Sequence, residues 1–202
     1  MEWFKRGFNS RGDGLSEEIQ VISGRLSEDG AYITVVTGKS ELEEKGYGDA
    51  EGKKLILKDY ETLFLIYTGR LKVRKGRAII TLDDMVEFSL KRDPDAWTKF
   101  LIYRDLRSRG YVAKEGFGFG VDFRVYSRGE FGVKPAKYVV SGLDQGREIT
   151  VKNMSKSVDQ ISRMGKEPIV AVIESRGEVI YYKISRERLE NLKTTPKNSS
   201  QV

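Results

Sequence analysis

The 202-residue sequence contains neither cysteine nor histidine. The first absence excludes disulfides, thiolate metal sites and thiol nucleophiles. The second removes the side chain that most often moves protons near neutral pH. Any metal would have to be held by oxygen alone, which argues against a zinc enzyme, and no metal or cofactor is expected. Long apolar runs are missing too. No window approaches about 18 apolar residues and the N-terminus carries no apolar core of a signal peptide, so the chain reads as soluble, cytoplasmic and unattached to a membrane. The phosphate-cradling G-x-x-x-x-G-K-[ST], the zinc-binding H-E-x-x-H and the nucleophile elbow G-x-S-x-G do not occur.

Charged residues make up 33% of the chain and apolar residues recur throughout, so the sequence predicts a folded core in one large or two small domains. The charge is unevenly spread. Residues 1–95 hold 16 Lys and Arg against 18 Asp and Glu, a net of −2, whereas residues 96–202 hold 20 against 12, a net of +8. That contrast suits a polyanion docking on the second half, with an affinity that falls as salt rises, although a solvated basic face accounts for it equally well.

The order of segments predicts an α+β fold. Residues 1–16 read as a loose leader and residues 17–93 as a first α+β domain. It holds a hairpin between Glu18 and Val36, a short helix from Ser40, a strand at Leu55–Leu57 and a helix capped by Asp59. A second hairpin, Leu71–Thr81, follows, and a capping box at Thr81 and Asp84 opens a helix through Leu90. The run Arg70–Arg77 is rich in cations, but a charged turn on an exposed hairpin explains it better than an RNA contact. Pro94 marks the boundary of a second domain, residues 94–186. This begins with a helix, Ala96–Arg109, and continues with strands at Tyr111–Ala113, Gly118–Tyr126 and Lys137–Ser141. A helix capped by Thr150 and the strands Ile169–Ile173 and Val179–Ile184 complete it. Residues 187–202 read as a polar tail. Glycines 116, 118 and 120 are spaced for a bulge or a twisted strand and not for a nucleotide loop.

The strings Tyr103–Tyr111 (Y-R-D-L-R-S-R-G-Y) and Phe117–Tyr126 (F-G-F-G-V-D-F-R-V-Y), Ser157-Val158 and the closing Ile180-Tyr181-Tyr182 resemble the catalytic domain of the archaeal tRNA-splicing endonucleases. Glu44–Gly48, Asp59–Leu71 and Asp93-Pro94 are similar to the N-terminal domain of that family. The resemblance covers about residues 40–184. It implies metal-free RNA cleavage by three side chains: a tyrosine as general base on a 2′-hydroxyl, a histidine as general acid on the leaving 5′-oxygen, and a lysine beside the charged phosphorane. The tyrosine that follows F-R-V is Tyr126. Pro135 stands in the place of the histidine and Gln160 in the place of the lysine. No catalytic residue is therefore expected, and Tyr126, Pro135 and Gln160 are degenerate positions.

What the resemblance implies is a non-cleaving structural subunit in an α2β2 heterotetramer with a catalytic paralogue, acting on precursor tRNA. The partner would be held by the last strand, through Val179, Ile180, Tyr181, Tyr182 and Ile184, and by an inserted acidic loop bearing Asp144 and Glu148. Arg104, Arg107, Lys152 and Lys156 are the candidate RNA contacts. Two other readings stay open. One is an active endonuclease leaving 2′,3′-cyclic phosphate ends with Tyr126 and Lys156; the other is a stand-alone RNA-binding module.

Overall fold

The computed structural model describes residues 21–28, 30, 32–118, 120–143 and 150–187. The expected leader and tail, and the loop holding Asp144 and Glu148, lie outside the described residues.

The first half builds a six-stranded sheet from β1 (Ile22–Leu26), β2 (Ile33–Val35), β3 (Asp49–Glu51), β4 (Lys54–Leu57), β5 (Leu71–Lys75) and β6 (Ala78–Ile80). Their order is β3-β4-β2-β1-β5-β6. The neighbours are antiparallel except β1 and β5, which are parallel. The alternation in I-S-G-R-L, buried at Ile22 and Leu26 and exposed at Ser23 and Arg25, is that of a strand with one covered face. Three helices, α1 (Lys39–Glu44), α2 (Asp59–Tyr67) and α3 (Leu82–Arg92), supply that cover. Their Leu42, Leu63, Leu65 and Met85 join Ile22, Ile33, Leu55 and Val73 in one core.

The capping box of α3 forms as expected: Thr81 Oγ1 accepts the Asp84 N–H at 3.2 Å, and the Asp84 carboxylate accepts the Thr81 N–H at 2.9 Å. The start of α2 differs from expectation. Lys58, not Asp59, occupies the cap position. The Glu61 carboxylate reaches back to accept the Lys58 N–H at 3.0 Å, while Asp59 is engaged by Arg92 Nε at 3.1 Å.

The second half begins with α4 (Ala96–Ser108), which ends at Gly110, where φ is 84°. Its five strands are β7 (Val112–Gly118), β8 (Val121–Tyr126), β9 (Tyr138–Leu143), β10 (Glu167–Ile173) and β11 (Val179–Lys183), in the order β11-β10-β9-β8-β7. Helix α5 (Val151–Arg163) links the parallel pair β9 and β10. Its cap is Thr150, whose Oγ1 accepts the Asn153 N–H at 3.3 Å. The sequence placed a single strand from Gly118 to Tyr126. In the structure Gly118 closes β7 instead, and a tight turn precedes Val121. Gly118 and Gly120 take φ of 82° and 79°, where side chains other than glycine are strained. At Gly116 a Cβ would lie 2.2 Å from the Val121 carbonyl oxygen, at the bulge where the register of β7 on β8 shifts.

Ala171 and Val140 face α4 within the main core, whereas Val139, one residue along, is fully buried outside that cluster. Alternation therefore places α5, with its buried Val158 and Ile161, on the other face of the sheet. Only residues 93–95 separate α3 from α4, and the core runs unbroken from Ile22 to Val179. Tyr60 of α2 meets Tyr103 of α4 at 4.9 Å and Phe123 of β8 at 5.0 Å between ring centres.

A polar lock crosses the same seam. Glu61 of α2 has no solvent exposure. Its carboxylate accepts the N–H of Gly48 at 3.0 Å and that of Lys58, and Lys114 Nζ of β7 stands 3.6 Å away. Lys114 Nζ also donates to the Gly48 carbonyl at 2.6 Å and pairs with Asp49 at 3.1 Å. Burial pushes the Glu61 carboxyl upward; Lys114 and the amides of Lys58 and Gly48 oppose that push. Removing one partner of such a pair leaves the other charge buried. Lys114→Met should therefore lower the unfolding free energy by about 3 kcal/mol. The double variant with Glu61→Gln should recover about 1 kcal/mol of that loss, both measured by urea unfolding.

Candidate functional site

Tyr126 closes β8, half buried, with its ring edge-on to Phe131 at 5.1 Å. Phe131 in turn lies within 3.1 Å of where a Cβ on Gly46 would stand, so the turn after β8 rests against the end of α1. Pro135 is exposed in the segment before β9. Its ring carries no proton to donate, and an imidazole has no counterpart there. The backbone around it is well held: the Lys137 N–H donates to the Val125 carbonyl at 3.0 Å, and Lys166 Nζ to the Ala136 carbonyl at 2.7 Å.

Gln160 is exposed on α5. It lines a small cavity with Phe117, Gly118 and Val121, at the tip of the β7–β8 hairpin. Tyr126 lies at the other end of β8, about 17 Å along the strand from Val121 at ~3.3 Å per residue. A cleft of about 720 Å³ runs between α5 and the sheet, and Lys156, Ser157, Gln160, Ser141 and Asp122 are among its lining residues. Neither Tyr126 nor Pro135 lines it. Tyr126, Pro135 and Gln160 do not converge on one described cavity.

The four candidate RNA contacts separate as well. Lys152 and Lys156 are exposed on α5. Arg104 and Arg107 belong to α4, across the sheet, and turn toward the first half. The Arg104 guanidinium lies 5.9 Å from the ring centres of Tyr67 and Phe100. Arg107 stands over Tyr47 at 4.0 Å and donates to the Lys45 carbonyl at 3.0 Å. Arg107 thus has a structural part, holding α4 to the loop after α1. With Lys45, Arg70, Tyr47 and Tyr111 it lines a groove of about 390 Å³ between the halves, assembled from segments too far apart in the chain for any local pattern to join.

The expected contact strand lies at the end of its sheet and pairs only with β10 among the described residues. Val179 is buried and Ile180 half buried, while Tyr182 is 52% exposed. The half-buried Tyr181 donates its hydroxyl to Asp105 of α4 at 2.8 Å; burial, followed by that carboxylate, pushes its ionisation far up. Ile184 falls just beyond β11, yet its N–H still donates to the Pro168 carbonyl at 3.1 Å. This bond, with the one from Glu174 N–H to the Glu178 carbonyl, sets the phase of the ladder. In an antiparallel pair alternate residues bond inward, so Ile180 and Tyr182 face β10. Val179, Tyr181 and Lys183 direct their N–H and C=O groups outward along the open edge. Among the described residues, no group of His, Cys, Asp and Glu side chains is arranged to hold a metal ion, and no helix is long and apolar enough to cross a membrane.

Comparison with known proteins agrees over both halves. The model for the tRNA intron endonuclease catalytic C-terminal domain matches residues 96–181, and that for the N-terminal domain of the same enzymes matches residues 22–86. The tRNA-splicing endonuclease of Pyrococcus furiosus is 30% identical over 165 residues, covering 81% of this chain and 95% of the relative. That of Pyrococcus abyssi is 30% identical over 166 residues, 82% of this chain and 96% of the relative. That of Methanococcus vannielii is 28% identical over 169 residues, 83% and 96% respectively.

The contrast between the basic residues is measurable. Arg107→Ala should cost about 1–2 kcal/mol in urea unfolding, from the lost ring contact and carbonyl hydrogen bond. Lys156→Ala, at an exposed helix position, should stay within about 0.5 kcal/mol of the parent.

Proposed function

Because this chain belongs to the tRNA intron endonuclease family, we propose that it is the structural subunit of a tRNA-splicing endonuclease, joined to a catalytic paralogue in an α2β2 heterotetramer that cuts precursor tRNA. The observation that carries this reading is Pro135. In-line cleavage of RNA needs a proton for the departing 5′-oxygen, and an exposed proline supplies none. Gln160 is a neutral amide, which offers a developing dianionic phosphorane much less than an ammonium. It lies at the opposite end of β8 from Tyr126, however, so Pro135 alone carries the reading. Lys156 is a turn away on the same helix, but the cleft it lines does not include Tyr126. This speaks against an active site built from those two residues.

The assembly has support of its own. An edge strand with outward N–H and C=O groups at Val179, Tyr181 and Lys183 invites pairing with a second chain. Tyr182, half exposed on that strand, gives a partner apolar surface to cover. The groove between the halves, where Arg107 stands over Tyr47 beside Lys45 and Arg70 that share Glu41, keeps a net positive charge that suits an acidic loop from another subunit. In this reading the partner brings the histidine and lysine, while this chain orders the assembly and shares in holding the RNA.

Two measurements test the proposal. Purified alone, the chain should leave an intron-containing precursor tRNA uncut, while co-expression with a histidine-bearing paralogue should yield a tetramer by native mass and products with 2′,3′-cyclic phosphate ends. Cleavage by the chain alone, shown free of contaminating nuclease, would refute it. For the interface, Lys183→Pro removes an outward N–H and should abolish co-purification with little change in the thermal midpoint of the isolated chain. Tyr182→Pro removes an inward one and should lower that midpoint by several degrees. A Lys183→Pro chain that still forms the full tetramer would move the interface elsewhere.

A further inference from the structure

The slightly negative balance of residues 1–95 conceals a separation of charge that the fold creates. Along β1 and β5, Ile22, Leu26, Leu71 and Val73 turn into the core, and Ser23, Arg25, Lys72 and Arg74 turn away from it. The two strands are parallel neighbours, and their register sets Arg25 opposite Arg74 and Ser23 opposite Lys72. The row continues on both sides, since Arg74 faces Ile79 of β6, Arg25 faces Thr34 of β2, and Thr34 faces Ile56 of β4. The helices α1, α2 and α3 pack on the opposite face of this sheet.

Several other cations of this half are paired with carboxylates. Lys45 and Arg70 hold Glu41, Lys58 holds Glu115, and Arg92 holds Asp59. Arg25, Lys72 and Arg74 are exposed, and among the described residues none of them takes part in an ion pair. Two arginines set directly opposite across adjacent strands repel each other and weaken the sheet they belong to. A polyanion laid across the face removes that repulsion.

We propose that the outer face of the N-terminal sheet binds the phosphate backbone of precursor tRNA, away from the cut junctions, through Arg25, Lys72 and Arg74. This deepens the functional reading above and rests on it for the identity of the RNA. Neighbouring strands lie about 4.8 Å apart and alternate residues of one strand about 6.6 Å, so three long cationic arms leave a small flat area and reach separate phosphates. A sheet that reads unpaired bases stacks them on aromatic rings. The row here offers Ile56, Thr34 and Ile79, with the exposed ring of Tyr32 two residues before Thr34, so the contact is chiefly with backbone and carries little sequence preference. The run Arg70–Arg77, which sequence reading assigned to a charged turn, thus divides. Arg70 is tied to Glu41 and Lys75 lies near the ring of Phe88, whereas Lys72 and Arg74 belong to the open face.

The test uses the full-length chain without its partner and two RNAs: an intron-containing precursor tRNA and a short hairpin carrying only the intron junctions. The triple variant Arg25→Thr, Lys72→Thr, Arg74→Thr keeps strand-forming residues on an exposed face, so its thermal midpoint should match the parent. It should bind the precursor tRNA roughly tenfold more weakly at about 50 mM salt. Its salt slope should be shallower by about 2–3, one for each lost phosphate contact, with the short hairpin bound as before. The charge-preserving variant Arg25→Lys, Arg74→Lys should retain most of the affinity. Unchanged binding of the precursor tRNA by the triple variant overturns the proposal, and so does an equal loss for both RNAs, which would place the contact at the junctions. Retained RNA affinity with loss of the partner subunit on co-expression also overturns it, in favour of an acidic protein surface. A chain that cleaves RNA alone would defeat the subunit reading and leave this binding result standing.

Discussion

Glu61 has no contact with solvent, and everything that makes its burial tolerable comes from different parts of the chain. Its own helix starts on it through Lys58, the loop before β3 bends to it through Gly48, and β7 of the other half approaches it with Lys114. A carboxylate in such a place is held by every one of these donors or it is strongly destabilising. Satisfying it therefore fixes the seam between the halves. Gly48 takes φ of 70° there, with Leu55 side-chain atoms 2.7 Å from where a Cβ would lie, so the loop that feeds the site admits little else.

With the seam fixed, α4 becomes the common wall of both halves. Its Phe100 and Tyr103 reach the aromatic residues of α2, its Asp105 holds Tyr181 of the last strand, and its Arg107 grips Tyr47. Arg109 also pairs with Asp105, so the carboxylate serves both an exposed cation and a tyrosine hydroxyl. One face of β11 is thereby anchored while, among the described residues, its outer edge stays open. The last strand is firmly seated on α4, whereas Pro135 and Gln160 are exposed, with Lys166 holding the Ala136 carbonyl beside Pro135.

Much of this was legible in residue order. The hairpins, the cap at Thr81 with Asp84, the cap at Thr150, the end of α4 at Gly110 and the missing histidine all follow from local chemistry or composition. Such features depend on neighbours a few residues apart, so period and turn chemistry reveal them. The β7–β8 turn was misplaced for a local reason as well. Three alternating glycines can serve a bulge or a turn, and only the close approach of Gly116 to Val121 shows that both occur within five residues.

By itself, the sequence determined the α+β class, the absence of thiol and imidazole side chains, and the family. Tertiary structure decided which cations are free. Arg107 and Arg70 read as solvent-facing charges and turn out to be bound to Tyr47 and Glu41. Arg25 and Arg74, separated by a whole hairpin and two helices, stand side by side. Charge counts average over a segment, but a phosphate meets only the side chains that one face presents together. Strand order and register set that face, and they arise from long-range pairing that no local pattern records.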